Sequence, residues 1–232
     1  MTRLVSTSAN SAFRFKGMKS MLKTVLSMAA LAAALPGAAS AATGAWASFV
    51  GIDTDASGPA AISWYDGPQF AVKELNDFAG ANLGSFAQGS SAWLAGGDLF
   101  TFKNNGGNVT GATMFWRVDS GSYNAVQLAW NSNAPLTYPG TSIAAGGGND
   151  QSWRVLGNSA NFLQGLGVGS HQLQVYFQGF SNQGDFFAGT AANPMSAGFA
   201  VTAPVPEPGS WALMLGGLGA LGLLSRRRFK RS

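Results

Sequence analysis

From His171 onward the chain alternates with a period of two: Leu173, Val175 and Phe177 on one parity, Gln172, Gln174, Tyr176 and Gln178 on the other. That period places one set on each face of an extended backbone, so the segment reads as a half-buried antiparallel strand. The pattern recurs. Val126, Leu128 and Trp130 alternate with Gln127 and Ala129, Phe100 and Phe102 with Thr101 and Lys103, and Phe199 and Val201 with Ala200 and Thr202. Residues 112–118 (ATMFWRV) are apolar on both parities and read as a central strand. Between these runs stand turn formers. Asn104, Asn105, Gly106 and Gly107 suit a hairpin with positive φ. Asp119-Ser120-Gly121 and Asn131-Ser132-Asn133 punctuate the next pair, residues 146–150 (GGGND) read as a surface loop, and residues 165–170 (GLGVGS) lead into the clearest strand. The one helix candidate in this region is residues 69–78. Many short strands at near-regular spacing imply an all-β fold, a β-sandwich or jelly roll. Trp116 and Trp130 lie on the core parity and are expected to be buried.

The two ends follow other rules. Lys19 and Lys23 precede an apolar run at residues 25–35 (VLSMAALAAAL), Pro36 and Gly37 break it, and Ala39-Ser40-Ala41 supplies small residues in a cleavage pattern. This order is that of a secretory signal, with an N-terminal signal helix and a mature chain beginning at Ala42. Ala39, Ala41 and Ala42 therefore mark the cleavage site, and the implied partners are the Sec export machinery and signal peptidase. Residues 1–17 are long for such a leader, so either Met18 or Met21 is the true start or the basic region is extended. The domain reading is residues 1–41 signal peptide, 42–204 secreted β domain, and 205–232 a C-terminal sorting and anchor segment.

That last segment has three parts. Pro206-Glu207-Pro208 is stiff, since each proline fixes φ and disfavours helix before it. Residues 211–224 (WALMLGGLGALGLL) carry no charge, and Arg226, Arg227 and Arg228 open a basic end. A short transmembrane helix is expected, with Trp211 at one interface and Leu224 followed by the arginines at the other, and with the basic end cytoplasmic. The three-part tail resembles the PEP-CTERM sorting signal of Gram-negative bacteria, which is also labelled an ice-binding-protein C-terminal motif. The resemblance implies recognition by an exosortase, a transpeptidase-like membrane enzyme, with cleavage near Pro206-Glu207-Pro208. It implies passage through an inner-membrane intermediate to the cell surface or an exopolysaccharide matrix. It covers the tail and describes an address. The segments around residues 103–118 and after residues 165–170 look like secreted bacterial β-sandwich domains without an assigned activity.

Charge excludes one class of partner. The formal charge of +4 belongs to the ends. Between them, Lys73, Lys103, Arg117 and Arg154 face nine carboxylates, a net of −5. A mildly acidic body lacks the basic stripe of a nucleic-acid binder. With no cysteine there is no disulfide, thiolate metal site or cysteine nucleophile.

Four constellations bear on chemistry. Asp53, Asp55 and Ser57 in D-x-D-x-S-G fit the first half of an oxygen-rich Ca²⁺ loop, but Trp64 stands where an EF-hand has its closing Glu. An ordinary turn is the simpler reading; Ca²⁺ is the only cofactor the sequence suggests. His171 is the sole histidine and opens a strand without a G-x-S-x-G elbow, so a strand-end role is favoured over a triad. Nine scattered acids, Glu74 the only Glu among them, permit a hydrolytic pair without singling one out. Finally, Trp64, Tyr65 and Trp93 have Gly, Asp or Ser neighbours and form a candidate carbohydrate platform, against core packing as the alternative use of aromatics.

The function expected is thus an exported, non-catalytic surface or matrix protein whose body binds exopolysaccharide or packs within the matrix. The alternatives are a secreted glycan-active hydrolase using Asp and Glu, and a Ca²⁺-stabilised adhesin.

Overall fold

The computed structural model describes residues 40–54, 61–68, 75–204 and 208–229. Among the described residues twelve strands and one helix follow in chain order: β1 (Ala42–Asp53), β2 (Ser63–Asp66), β3 (Asn82–Ala87), β4 (Trp93–Asn104), β5 (Val109–Val118), β6 (Asn124–Asn133), β7 (Leu136–Thr137), β8 (Ala144–Ala145), β9 (Gln151–Asn161), β10 (Gly169–Ser181), β11 (Phe186–Ala188), β12 (Met195–Thr202) and α1 (Pro208–Phe229).

The expectation of an all-β fold holds, but the arrangement is one curled sheet. Hydrogen bonding runs unbroken through β2-β1-β4-β9-β6-β5-β10-β12-β3, with β11 added beside β10 and a separate β7-β8 pair. The continuity comes from β6. Its first half pairs with β5 (Ala112↔Leu128 to Trp116↔Asn124), and its second half pairs with β9 (Ala129↔Arg154 to Asn133↔Gln151). A register shift between Trp130 and Ser132 falls in the second half. Such a bulge bends a strand and increases its twist, which is how one strand can serve both halves.

The apolar parities meet in the middle. The main core joins Val50, Leu94, Leu99 and Trp153 from the first half to Met114, Leu173, Val175, Phe177, Ala197 and Phe199 from the second. A smaller cluster of Ala47, Phe49, Phe100, Leu136 and Tyr138 is built on the other parity of β1 and β4. Strands β1 and β4 are therefore buried on both faces, which explains their nearly continuous apolar and small-residue sequence. Phe49 and Phe100 meet edge-on at 5.0 Å within that second cluster.

Three local expectations change. The turn at Asn105 (φ 49°) and Gly106 (φ 86°) has the positive φ that its sequence demands. It does not close a hairpin: β4 pairs with β1 and β9, whereas β5 pairs with β6 and β10, so the turn carries the chain between halves. The part of the expected helix that is described, Leu75 to Phe78, is a bend with an Asp66↔Asp77 bridge; residues 69–74 lie outside the described residues. Phe78 is instead an anchor in the core. Trp130 is 54% exposed, whereas Trp153, its register partner, is 8% exposed. Trp130 keeps the alternation of Leu128, but by this point β6 has left β5 for β9.

Among the described residues no helix is long and apolar enough to cross a membrane. The expected transmembrane helix is thus unsupported: α1 has 22 residues, but its apolar run is confined to residues 211–224. Residues 211–224 span about 21 Å as a helix, short of the roughly 30 Å hydrocarbon core. Leu213, Met214, Leu215, Leu218 and Leu221 on α1 are exposed.

Candidate functional site

The sequence-predicted residues separate in space. Ala42 opens β1 in register with Asn104, so the sheet begins at the residue expected to start the mature chain; Ala41 is half-buried and Ala39 lies outside the described residues. Gly107 approaches so closely that a Cβ there would stand 2.6 Å from the Ala42 carbonyl oxygen. Asp53 ends β1 fully buried, and Asp55, Ser57 and Glu74 lie outside the described residues. Among the described residues there is no group of three potential metal-ligating side chains.

Trp64, Tyr65 and Trp93 are all half-buried. Trp64 lies over glycine: Cβ atoms on Gly96 and Gly140 would stand 2.6 Å and 2.8 Å from its indole. Tyr65 meets Phe78 edge-on at 6.0 Å and packs against the main core.

His171, near the start of β10, lies between two acceptors. Its Nδ1 lies 2.8 Å from Oδ2 of Asp119, and its Nε2 lies 3.0 Å from the Gly167 carbonyl. Asp119 is fixed in turn. Its Oδ1 accepts from the Gln172 N–H (2.8 Å), and its own N–H donates to the Gln172 carbonyl (2.9 Å). Asp119 takes φ 52° at the end of β5, a conformation Asp tolerates better than most residues. Because both ring nitrogens face acceptors, the imidazolium satisfies both bonds. The hydrogen bond that the ring donates to Asp119, then that to the Gly167 carbonyl, hold the His171 pKa above its usual 6.5. No ring nitrogen is left to take a proton from a nucleophile. The ring stacks on Phe199 at 5.5 Å.

Beside this pair lies an open cleft of about 460 Å³ across β3, β12 and β10. Asn82, Ser85, Ser170 and Gln172 supply its polar groups, over Gly198 and Ala200. Its shape depends on a bulge. Gly198 pairs with Asn82 and Ala200 with Ser85, so Leu83 and Gly84 of β3 stand opposite the single Phe199 of β12. Gly84 absorbs the extra residue at φ 101°, its N–H bonded to Asn82 Oδ1 at 2.9 Å. Asn82 and Ser85 are consequently both exposed, while Leu83 is buried and Phe86 packs against the core. Sequence reading missed this site because NLGSFA does not alternate; the Gly between Asn and Ser was the one signal.

Other carboxylates are engaged in hydrogen bonds within the fold, Asp66 among them, whose Oδ2 accepts from the Leu75 N–H at 2.9 Å. Asp98 binds Ser152 and Arg154, Asp150 accepts from the Gly147 N–H, and Asp185 accepts from Gln178.

Beyond β12, Ala203 and Pro204 are exposed, Pro206 and Glu207 lie outside the described residues, and Pro208 opens α1, where its missing N–H costs nothing. Trp211, Leu224, Arg226, Arg227 and Arg228 all fall on that helix. Residues 204–228 match the PEP-CTERM protein-sorting motif. The chain carries a PEP-CTERM sorting tail. This motif is recognised by exosortase, and it implies export with membrane-associated sorting to the cell surface. No curated protein matches the chain.

Proposed function

We propose that the protein is a non-catalytic component of the cell surface or extracellular matrix, whose β domain binds exopolysaccharide. The observation that carries this reading is the PEP-CTERM match at residues 204–228. The start of β1 at Ala42 supports it, because cleavage after Ala41 would leave the whole sheet intact. Sec export and signal peptidase belong to the same proposal. So does a membrane-inserted intermediate: the exposed leucines of α1 lie in an uncharged stretch ending in arginines, a composition suited to lipid with its basic end at the cytoplasmic face.

Two experiments test it. Replacing Pro206, Glu207 and Pro208 by alanine in the producing cell is expected to hold the protein in the membrane fraction; unchanged distribution would contradict exosortase sorting. The protein is expected to co-sediment with the cell's own exopolysaccharide, and failure to do so at high polymer load would contradict the binding role.

A further inference from the structure

We propose that the cleft across β3, β12 and β10 is where the domain holds its polysaccharide, and that it takes an uncharged stretch of sugar chain. This deepens the reading above and rests on it. Three observations support the site.

The first is chemical. Asn82, Ser85, Ser170 and Gln172 offer amides and hydroxyls, groups that both donate and accept, as sugar hydroxyls do. None carries a charge. The ionisable group lining the cleft, His171, is matched by Asp119 at 2.8 Å. A phosphate or a nucleic acid would find no free cation in this lining.

The second is the bulge. Bulges re-aim side chains beside functional sites. Here Gly84 turns Ser85 to the same open side as Asn82, giving two polar groups where strict alternation would give one and a glycine.

The third is Gly198. A glycine in a strand interior weakens the strand and often marks close approach by a ligand. Packing does not require this one, since an added Cβ would meet nothing nearer than the Ala81 carbonyl at 3.9 Å. Its φ is not in the positive range either. The lack of a side chain has one structural consequence, the open floor of the cleft. The cleft volume lies within the roughly 300–1,000 Å³ of ligand sites.

The test uses the full chain with dextran, pullulan and mannan as neutral polymers, alginate as an anionic one, and the producing cell's purified exopolysaccharide. Gly198→Val fills the floor, and Gln172→Ala removes an amide. Each is expected to weaken binding of the neutral polymer that the parent binds by about tenfold, with the melting temperature unchanged. Should Gly198→Val fail to fold, Ser85→Arg obstructs the cleft from an exposed position and gives the same readout. Parent-like binding by folded cleft variants would overturn the inference and leave the glycan-binding reading standing elsewhere, at Trp64, Tyr65 and Trp93. Binding of alginate alone would overturn the uncharged class. A parent that binds none of the polymers would overturn both readings.

Discussion

Arg154 places its Nε 2.6 Å from Oδ2 of Asp98, a carboxylate with no exposure at all in the middle of β4. Ser152 donates to the other oxygen at 2.7 Å, and Asn131 reaches Ser152 at 3.2 Å. Burial raises the Asp98 pKa from 3.8 to about 6, against the opposing pull of Arg154 and Ser152. The folded state therefore binds this proton more tightly than the unfolded chain. The stabilisation is complete below pH 3.8 and is lost as pH rises to about 6. Thermal unfolding should show a fall in stability across that window, and Asp98→Asn should remove the part due to this group. An equal fall in the variant would contradict the assignment.

Removing the cation isolates the cost of a buried charge. Arg154→Met should destabilise the protein by about 3 kcal/mol at pH 7.5, the usual penalty for breaking a buried pair. The loss should be smaller at pH 5, where Asp98 takes up a proton. Denaturant melts at the two pH values check this, and a pH-independent loss would mean that packing, not charge, is what Arg154 supplies.

His171 titrates in a separate window. Its pKa is raised by Asp119 and Gly167, so its stabilisation is present below 6.5 and fades as pH climbs through the raised value. NMR titration of this single imidazole should place the midpoint above 6.5, and Asp119→Asn should lower it. A midpoint at or below 6.5 would contradict the two-acceptor geometry.

Trp130 and Trp153 are register partners with opposite surroundings. Trp153→Ala is expected to cost about 3–5 kcal/mol, as for a buried aromatic. Trp130→Ala should stay within about 0.5 kcal/mol. Similar losses for both would mean that the outward position of Trp130 is wrong.

These pairs also show what the sequence revealed. Period-two patterning located β10 and β12, and a run apolar on both parities located β5, because each has a face in a dry core. The tail was readable because proline, an uncharged run and a basic end act locally. What escaped were relationships across sequence distance. Nothing in the chain links Asp98 to Arg154, or His171 to Asp119, until β4 meets β9 and β10 meets β5. Alternation on β6 continues through Trp130 although the strand has changed partners there. On β3 the bulge at Gly84 erased the alternation and concealed the cleft.

The most direct measurement is the intact mass of the native protein, recovered separately from membrane and extracellular fractions. The account predicts an extracellular species that begins at Ala42 and ends near Pro206-Glu207-Pro208. A protein found only in membranes, with Arg226, Arg227 and Arg228 still attached, would contradict exosortase release and make the domain a permanently anchored one.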